Sequence, residues 1–260
     1  MTFADAKQRF SNRVADYVRY RPSYPPALLD LLANECGLHR KHIIADVGFG
    51  TGLLSKLLLE HGNRLFGVEP NAEMRAAGEE YLRDYPNFTS VDGSAETTNL
   101  PTASVDFITA GQAFHWFDVA AANREFRRIL RPNGWVAVIW QDRRMEETPF
   151  AREYEHLLQH FGNDYKSVKN SYPEVEKIRP FFDSQTFRTR DLPNHQIFDW
   201  DGLQGRLRSS SYAPTPDRES YAPMMAELRR IFDTYQVNGF VRMEYFTRVY
   251  FGKLAGRTEQ

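Results

Sequence analysis

The chain has 260 residues, 42% of them hydrophobic and 26% charged, with a formal net charge of −1 at pH 7. That is enough to bury a sizeable core, as one α/β domain with additions or as two, but it lacks the basic excess by which nucleic-acid binders release counterions. Cys36 is the only cysteine, which excludes an internal disulfide and a cysteine-rich zinc site, and no apolar run approaches the ~20 residues that span a bilayer.

In chain order, the first segment sets Tyr17, Tyr20, Arg21 and Tyr24 around prolines. Pro25-Pro26 predicts the start of a helix through Ala27 to Leu32. Ile43-Ile44-Ala45 reads as a strand that runs into Asp46-Val47-Gly48-Phe49-Gly50-Thr51-Gly52, and the apolar Leu53 to Leu59 as a packed helix. Alternate glycines let the backbone turn with positive φ and approach a ligand closely. Arg64 to Val68 is the next strand, with Glu69 at its tip, and Asn71 caps a helix through Met74, Ala76, Ala77 and Tyr81. Asp118 before Val119-Ala120-Ala121-Ala122 reads as an N-cap, and helices and strands go on alternating up to Trp140. Such alternation predicts a parallel sheet covered on both faces. Beyond residue 141 the composition shifts toward Tyr, Arg, Ser and Pro. Pro149 to Phe161 and Pro216 to Tyr235 read as helices, and Val241, Met243, Tyr245, Thr247, Val249 and Phe251 alternate as one face of a strand. Arg127-Arg128, Arg131, Arg143-Arg144 and Arg229-Arg230 are mixed with acids and read as solvated faces.

The glycine turn has two candidate ligand classes. A dinucleotide fingerprint G-x-G-x-x-G starting at Gly48 would require a small residue where Leu53 stands. Asp46 would also set a negative charge against a pyrophosphate in a low-dielectric cleft. S-adenosylmethionine (SAM) carries a sulfonium, an ammonium and a ribose but no phosphate, so acids at positions 46 and 69 match it. Glu69 at the strand tip is placed to accept both ribose hydroxyls.

From about residue 10 to residue 140 the sequence resembles the class I SAM-dependent methyltransferases. Asp46 to Gly52 is similar to their first motif, Glu69-Pro70-Asn71 to their ribose-binding strand end, and Asp92-Gly93-Ser94-Ala95-Glu96 with Leu100-Pro101 to their adenine-binding loop. Gln112-Ala113-Phe114-His115-Trp116-Phe117 is similar to the segment that leads into the active site. The adenine loop often has an aspartate where this chain has Ser94, so Glu96 or backbone groups of Ser94 and Ala95 are the alternatives for the adenine amino group. Phe10-Ser11-Asn12, the Tyr17 to Pro25 segment and residues 112 to 117 resemble the branch that contains trans-aconitate methyltransferases and related small-molecule enzymes.

The resemblance implies a Rossmann-like, doubly wound, mostly parallel seven-stranded sheet with its last strand antiparallel, an N-terminal helical lid and a C-terminal cap insertion. It implies one domain over 1–260, divided into a lid (1–26), a SAM-binding core (27–140) and a cap with the final strands (141–260). The stretch from Pro173 to Tyr212 is then expected to cover the active site. SAM would be held by Tyr20, Arg21, Asp46, Gly48, Gly50, Gly52, Glu69, Pro70, Met74, Ser94, Ala95, Glu96, Gln112 and Ala113, with S-adenosylhomocysteine as the product. Tyr24, His115, Trp116 and Tyr212 would face the acceptor, and no metal is implied.

Methyl transfer from a sulfonium requires in-line geometry and exclusion of water. A base is needed only for an acceptor that must lose a proton, and a carboxylate attacks unaided. His115 is either that base or a wall of the pocket. Arg21 would bind a carboxylate, of the cofactor or of the substrate, through its planar fork. The run Arg206 to Tyr212 offers further donors or is a polar loop. The expected function is methylation of a small molecule on oxygen, with a carboxylate as one candidate acceptor. A nucleic-acid methyltransferase is disfavoured by the charge balance and by the absence of a Pro-Cys nucleophile or an Asp/Asn-Pro-Pro-aromatic run. An NAD(P)-dependent reductase is disfavoured by Leu53 and Asp46. A non-catalytic SAM-binding regulator stays open. Neither nucleic acid nor membrane is an expected partner, the expected location is cytoplasmic, and the sequence leaves the oligomeric state open.

Overall fold

The computed structural model describes residues 20–163, 165, 178–182, 187–210 and 212–254. Phe10-Ser11-Asn12, Tyr17, most of the expected lid and Pro173 lie outside the described residues.

A seven-stranded sheet runs in the order β3-β2-β1-β4-β5-β7-β6. Its strands are β1 (Ile43–Val47), β2 (Arg64–Val68), β3 (Phe88–Val91), β4 (Val105–Gly111), β5 (Leu130–Arg143), β6 (Arg188–Phe198) and β7 (Val241–Gly252). The first five pair in parallel, and β7 runs antiparallel to both β5 and β6. Strand order reverses direction between β1 and β4, where α/β sheets open a ligand crevice at their carboxyl ends. The expected mostly parallel sheet with its antiparallel last strand is what forms.

The helices are α1 (Ala27–Cys36), α2 (Leu53–Glu60), α3 (Ala72–Tyr81), α4 (Val119–Ile129), α5 (Pro149–Phe161), α6 (Trp200–Arg208) and α7 (Tyr221–Tyr235). α3, α4, α5 and α6 start where a side chain satisfies a first-turn N–H group. The Asn71 carboxamide oxygen accepts from the Glu73 and Met74 amides at 3.0 Å each, and Asp118 accepts from the Ala121 amide at 3.0 Å. α1 ends at Gly37, whose φ of 70° returns its N–H to the Ala33 carbonyl.

Two apolar clusters flank the sheet. One joins Val47, Ile108, Phe114, Phe126 and Trp140, and the other joins Leu28, Leu32, Ile44, Leu58 and Phe107. Each wholly buried leucine contributes about 1.5–3 kcal/mol. A third cluster gathers α5, α6, α7 and the start of β7 through Tyr154, Leu158, Leu203, Leu228 and Met243. These C-terminal helices therefore have a core of their own.

One expectation requires correction. Residues Arg188–Phe198, inside the stretch expected to cap the site, form the edge strand β6, paired with β7 along its whole length. Its sequence hides this because a solvated edge carries charges and proline in place of an apolar face, here Arg188, Arg190, Asp191 and Pro193. From the same stretch, Arg206 of α6 and Tyr212 line the cavity described below.

Candidate active site

A cavity of about 860 Å³ opens at the carboxyl ends of β1, β2, β4 and β5. The glycine turn forms its floor. Gly48, Gly50 and Gly52 have φ of 71°, 58° and 89°, a region that L side chains avoid. Gly48 also packs so tightly that an added Cβ would stand 2.5 Å from the Ala113 Cβ. β2 delivers Glu69 beside this turn. Its two oxygens accept the amides of Gly50 at 3.0 Å and Asn71 at 2.9 Å. Burial raises the Glu69 carboxyl above its ordinary value, against the opposing pull of those amides and of Arg75.

Asp46, at the end of β1, is wholly buried and lines the cavity. Ser55 donates to it at 2.6 Å and Thr109 at 2.9 Å. Burial outweighs both hydrogen bonds and pushes its pKa up to about 6. A buried carboxylate with only neutral donors favours a cation in the cavity. The Thr51 hydroxyl, buried in the same wall, has no partner among the described residues. Acids at two points and an orphan hydroxyl fit the cationic, phosphate-free SAM.

Of the residues predicted to hold SAM, the cavity is lined by Arg21, Asp46, Gly48, Gly50, Glu69, Pro70, Met74, Ser94, Ala95, Glu96, Gln112 and Ala113. Gly52 and Tyr20 are not in its lining. Gly52 caps α2, and the Tyr20 ring packs against Gly205 in α6. The Ser94 hydroxyl turns inward to the amides of Glu96 and Thr97, while the Glu96 carboxylate accepts the Asp118 amide at 2.9 Å. Tyr24, Trp116 and Tyr212 line the cavity as well. His115 does not: its ring packs 4.7 Å from that of Trp116, and Trp116 and Phe117 hold the wall.

At its far end the cavity meets a buried polar wall that the sequence reading largely missed. Arg143 ends β5, Tyr245 is its register partner on β7, Arg206 comes from α6, and Tyr212 follows four residues after that helix. The Arg143 guanidinium donates to Glu155 of α5 and to the Tyr165 hydroxyl at 2.9 Å. Arg206 donates to Tyr245 at 3.1 Å and to Ser210 at 3.0 Å. Burial alone would raise the Tyr212 phenol, but Arg143, Arg206 and Arg21 outweigh it and hold the phenol below its ordinary value. The expectation that Arg143-Arg144 is a solvated face is thus corrected at Arg143, which burial under α5 and pairing with Glu155 turn inward. Arg229 pairs with Asp233 on the surface, as a solvated face requires, whereas half-buried Arg128 pairs with the buried Glu125. Ser209 and Ser210 are wholly buried, so the described part of the run from Arg206 to Tyr212 is no solvated loop.

Hydrogen bonds tie the start of the described chain to this end of the cavity, among them Asn194 to the Ser23 carbonyl at 2.8 Å and Gln196 to the Tyr20 carbonyl at 3.2 Å. Arg21 donates to the Ser209 carbonyl at 2.9 Å, and Gln141 to the Ser23 carbonyl at 3.1 Å. Among the described residues no His, Cys, Asp and Glu cluster could hold a metal ion, and no helix is long and apolar enough to cross a membrane.

Residues 45–138 match a family model described as a methyltransferase domain. An uncharacterized methyltransferase of Mycobacterium tuberculosis is 34% identical over 235 residues, covering 89% of this chain and 88% of that protein. A solved structure from Anaeromyxobacter dehalogenans, assigned as a type II methyltransferase, superposes with a TM-score of 0.66 at 23% identity over 92% of this chain and 100% of its own. The phosphoethanolamine N-methyltransferase 2 of Haemonchus contortus, solved with phosphomonomethylethanolamine and S-adenosylhomocysteine, superposes with a TM-score of 0.58 at 14% identity, over 98% of this chain and 59% of its own. With this fold, this glycine turn and a 34% identical methyltransferase relative along most of its length, the chain belongs to the class I SAM-dependent methyltransferases.

Proposed function

We propose that the protein methylates a small-molecule acceptor on oxygen. The observation that carries this reading is the continuity of one cavity, from the glycine turn past Trp116 to the wall of Arg143, Tyr165, Arg206, Tyr212 and Tyr245. About 860 Å³ suits a cofactor with a small molecule, within the ordinary range of ligand sites.

SAM supplies an electrophilic methyl on a sulfonium when bound. Asp46 would meet its ammonium, Glu69 its ribose, and Pro70, Met74, Ser94 and Ala95 its adenine. Gln112 and Ala113 would border the methionine part, with Trp116 between the two ligands. The chain's work is then to orient the acceptor and keep water out. An acceptor already ionised at neutral pH, such as a carboxylate, needs no base, which agrees with the position of His115 outside the cavity lining.

The test is incubation with methyl-labelled SAM and a cell extract separated into protein, nucleic-acid and small-molecule fractions. Label is expected in the small-molecule fraction. Label confined to nucleic acid or protein would refute the reading, and SAM binding with no labelled product would favour a non-catalytic regulator.

A further inference from the structure

The wall at the far end of the cavity has more positive than negative charge. Arg206 is 5% exposed, it lines the cavity, and its partners are the neutral hydroxyls of Tyr245 and Ser210. Among the described residues no carboxylate pairs with it. The one buried carboxylate of the wall, Glu155, is engaged by Arg143 and accepts from the Tyr165 hydroxyl at 2.6 Å. Even Arg143 is not saturated, since its buried Nε has no hydrogen-bond partner. The more open charges at the rim are matched in pairs, Arg144 with Glu147 and Arg248 with Asp142 and Asp191. A buried guanidinium with only neutral partners carries a desolvation penalty that an incoming anion would offset. The tyrosine hydroxyls around it can turn to donate to the same anion.

We propose that Arg206 is the specificity-determining anchor of the acceptor, pairing with a carboxylate group that is not the group methylated. This deepens the reading above and rests on it. A carboxylate held by the guanidinium fork has its lone pairs engaged and its basicity lowered, so it is a poor nucleophile. The accepting oxygen belongs elsewhere on the molecule, and the acceptor carries two functional groups. The methylated product therefore keeps its anchor charge.

The experiment separates a small-molecule extract by anion exchange and offers each fraction with methyl-labelled SAM, before and after phosphatase treatment. Acceptor activity is expected in the retained fraction, resistant to phosphatase, and the labelled product is expected to be retained in turn. Arg206→Met, similar in volume and uncharged, is expected to raise the KM for that fraction by ~100-fold, the scale of a lost charge-assisted pair. Its SAM affinity should stay within about twofold, and its unfolding temperature should not fall, since removing a buried unpaired charge is neutral or stabilising. Should Arg206→Met fail to fold, Arg206→Lys keeps the charge without the fork, and a KM raised by ~10-fold is expected. Label in an unretained fraction, loss of activity on phosphatase treatment, an uncharged product or an unchanged KM in the folded variant would each overturn the anchor while leaving small-molecule methylation standing. No label in any fraction despite bound SAM would overturn the methylation reading and the anchor with it.

Discussion

Glu69 accepts the Gly50 amide at 3.0 Å, so the tip of β2 is latched to the middle of the glycine turn. The same carboxylate takes the Asn71 amide, and each oxygen has accepting capacity beyond that one bond. Replacing Glu69 with alanine is expected to cost about 1.5–3 kcal/mol of SAM affinity, the scale of hydrogen bonds to a charged group. Calorimetry checks the affinity, and circular dichroism checks that the fold is kept.

Asp46 makes the apo protein and its SAM complex respond to pH in opposite senses. Its carboxyl is raised from 3.8 to about 6, so between those values the folded chain binds a proton that the unfolded chain lacks. From this group, stability rises as pH falls from about 6 toward 4, by roughly 3 kcal/mol in full. A bound cation favours the ionised form, so SAM affinity should weaken over the same interval. Denaturant unfolding and SAM titrations between pH 4 and 8 measure the two trends, and Asp46→Asn is expected to flatten both.

Gly48→Ala combines a φ of 71° with a Cβ 2.5 Å from the Ala113 Cβ. Strain and overpacking are expected to cost about 1–3 kcal/mol of stability and to displace the turn from the cofactor. Thermal unfolding should show the loss, and SAM binding should fall more steeply than stability does.

Two ion pairs should differ sharply in worth. Glu155→Ala leaves the Arg143 charge buried and is expected to destabilise by about 3–5 kcal/mol, whereas Asp233→Ala, which exposes Arg229 to water, should cost under about 1 kcal/mol. Urea unfolding of the two variants makes the comparison.

Since Trp116 rather than His115 lines the cavity, Trp116→Ala is expected to raise the acceptor KM. His115→Ala should lower turnover by less than ~10-fold, below the ~10²–10⁴ of a lost general base. Steady-state kinetics on an identified acceptor would reveal a larger effect, and a rate that rises through the histidine range would restore the base role.

Local chemistry in the sequence determined the glycine turn and the acids proposed to meet the cofactor. Asn71 and Asp118 cap helices through contacts two or three residues long, and Asp46, the glycine turn and Glu69 each sit where a strand pattern gives way to a helix pattern, so each is marked locally even though the Gly50–Glu69 bond spans 19 residues. Strand alternation likewise made β7 legible from its buried face. β6 was hidden because an edge strand needs no apolar face. Only the tertiary structure decided the buried polar wall proposed to meet the acceptor. Arginine is exposed by default, and nothing near Arg143 or Arg206 in the chain says that α5, α6 and β7 will bury them together. Arg206 meets Tyr245 across 39 residues, and Arg143 meets Tyr165 across 22. The excess buried charge arises from packing those elements around one cavity, a long-range property that no local pattern encodes.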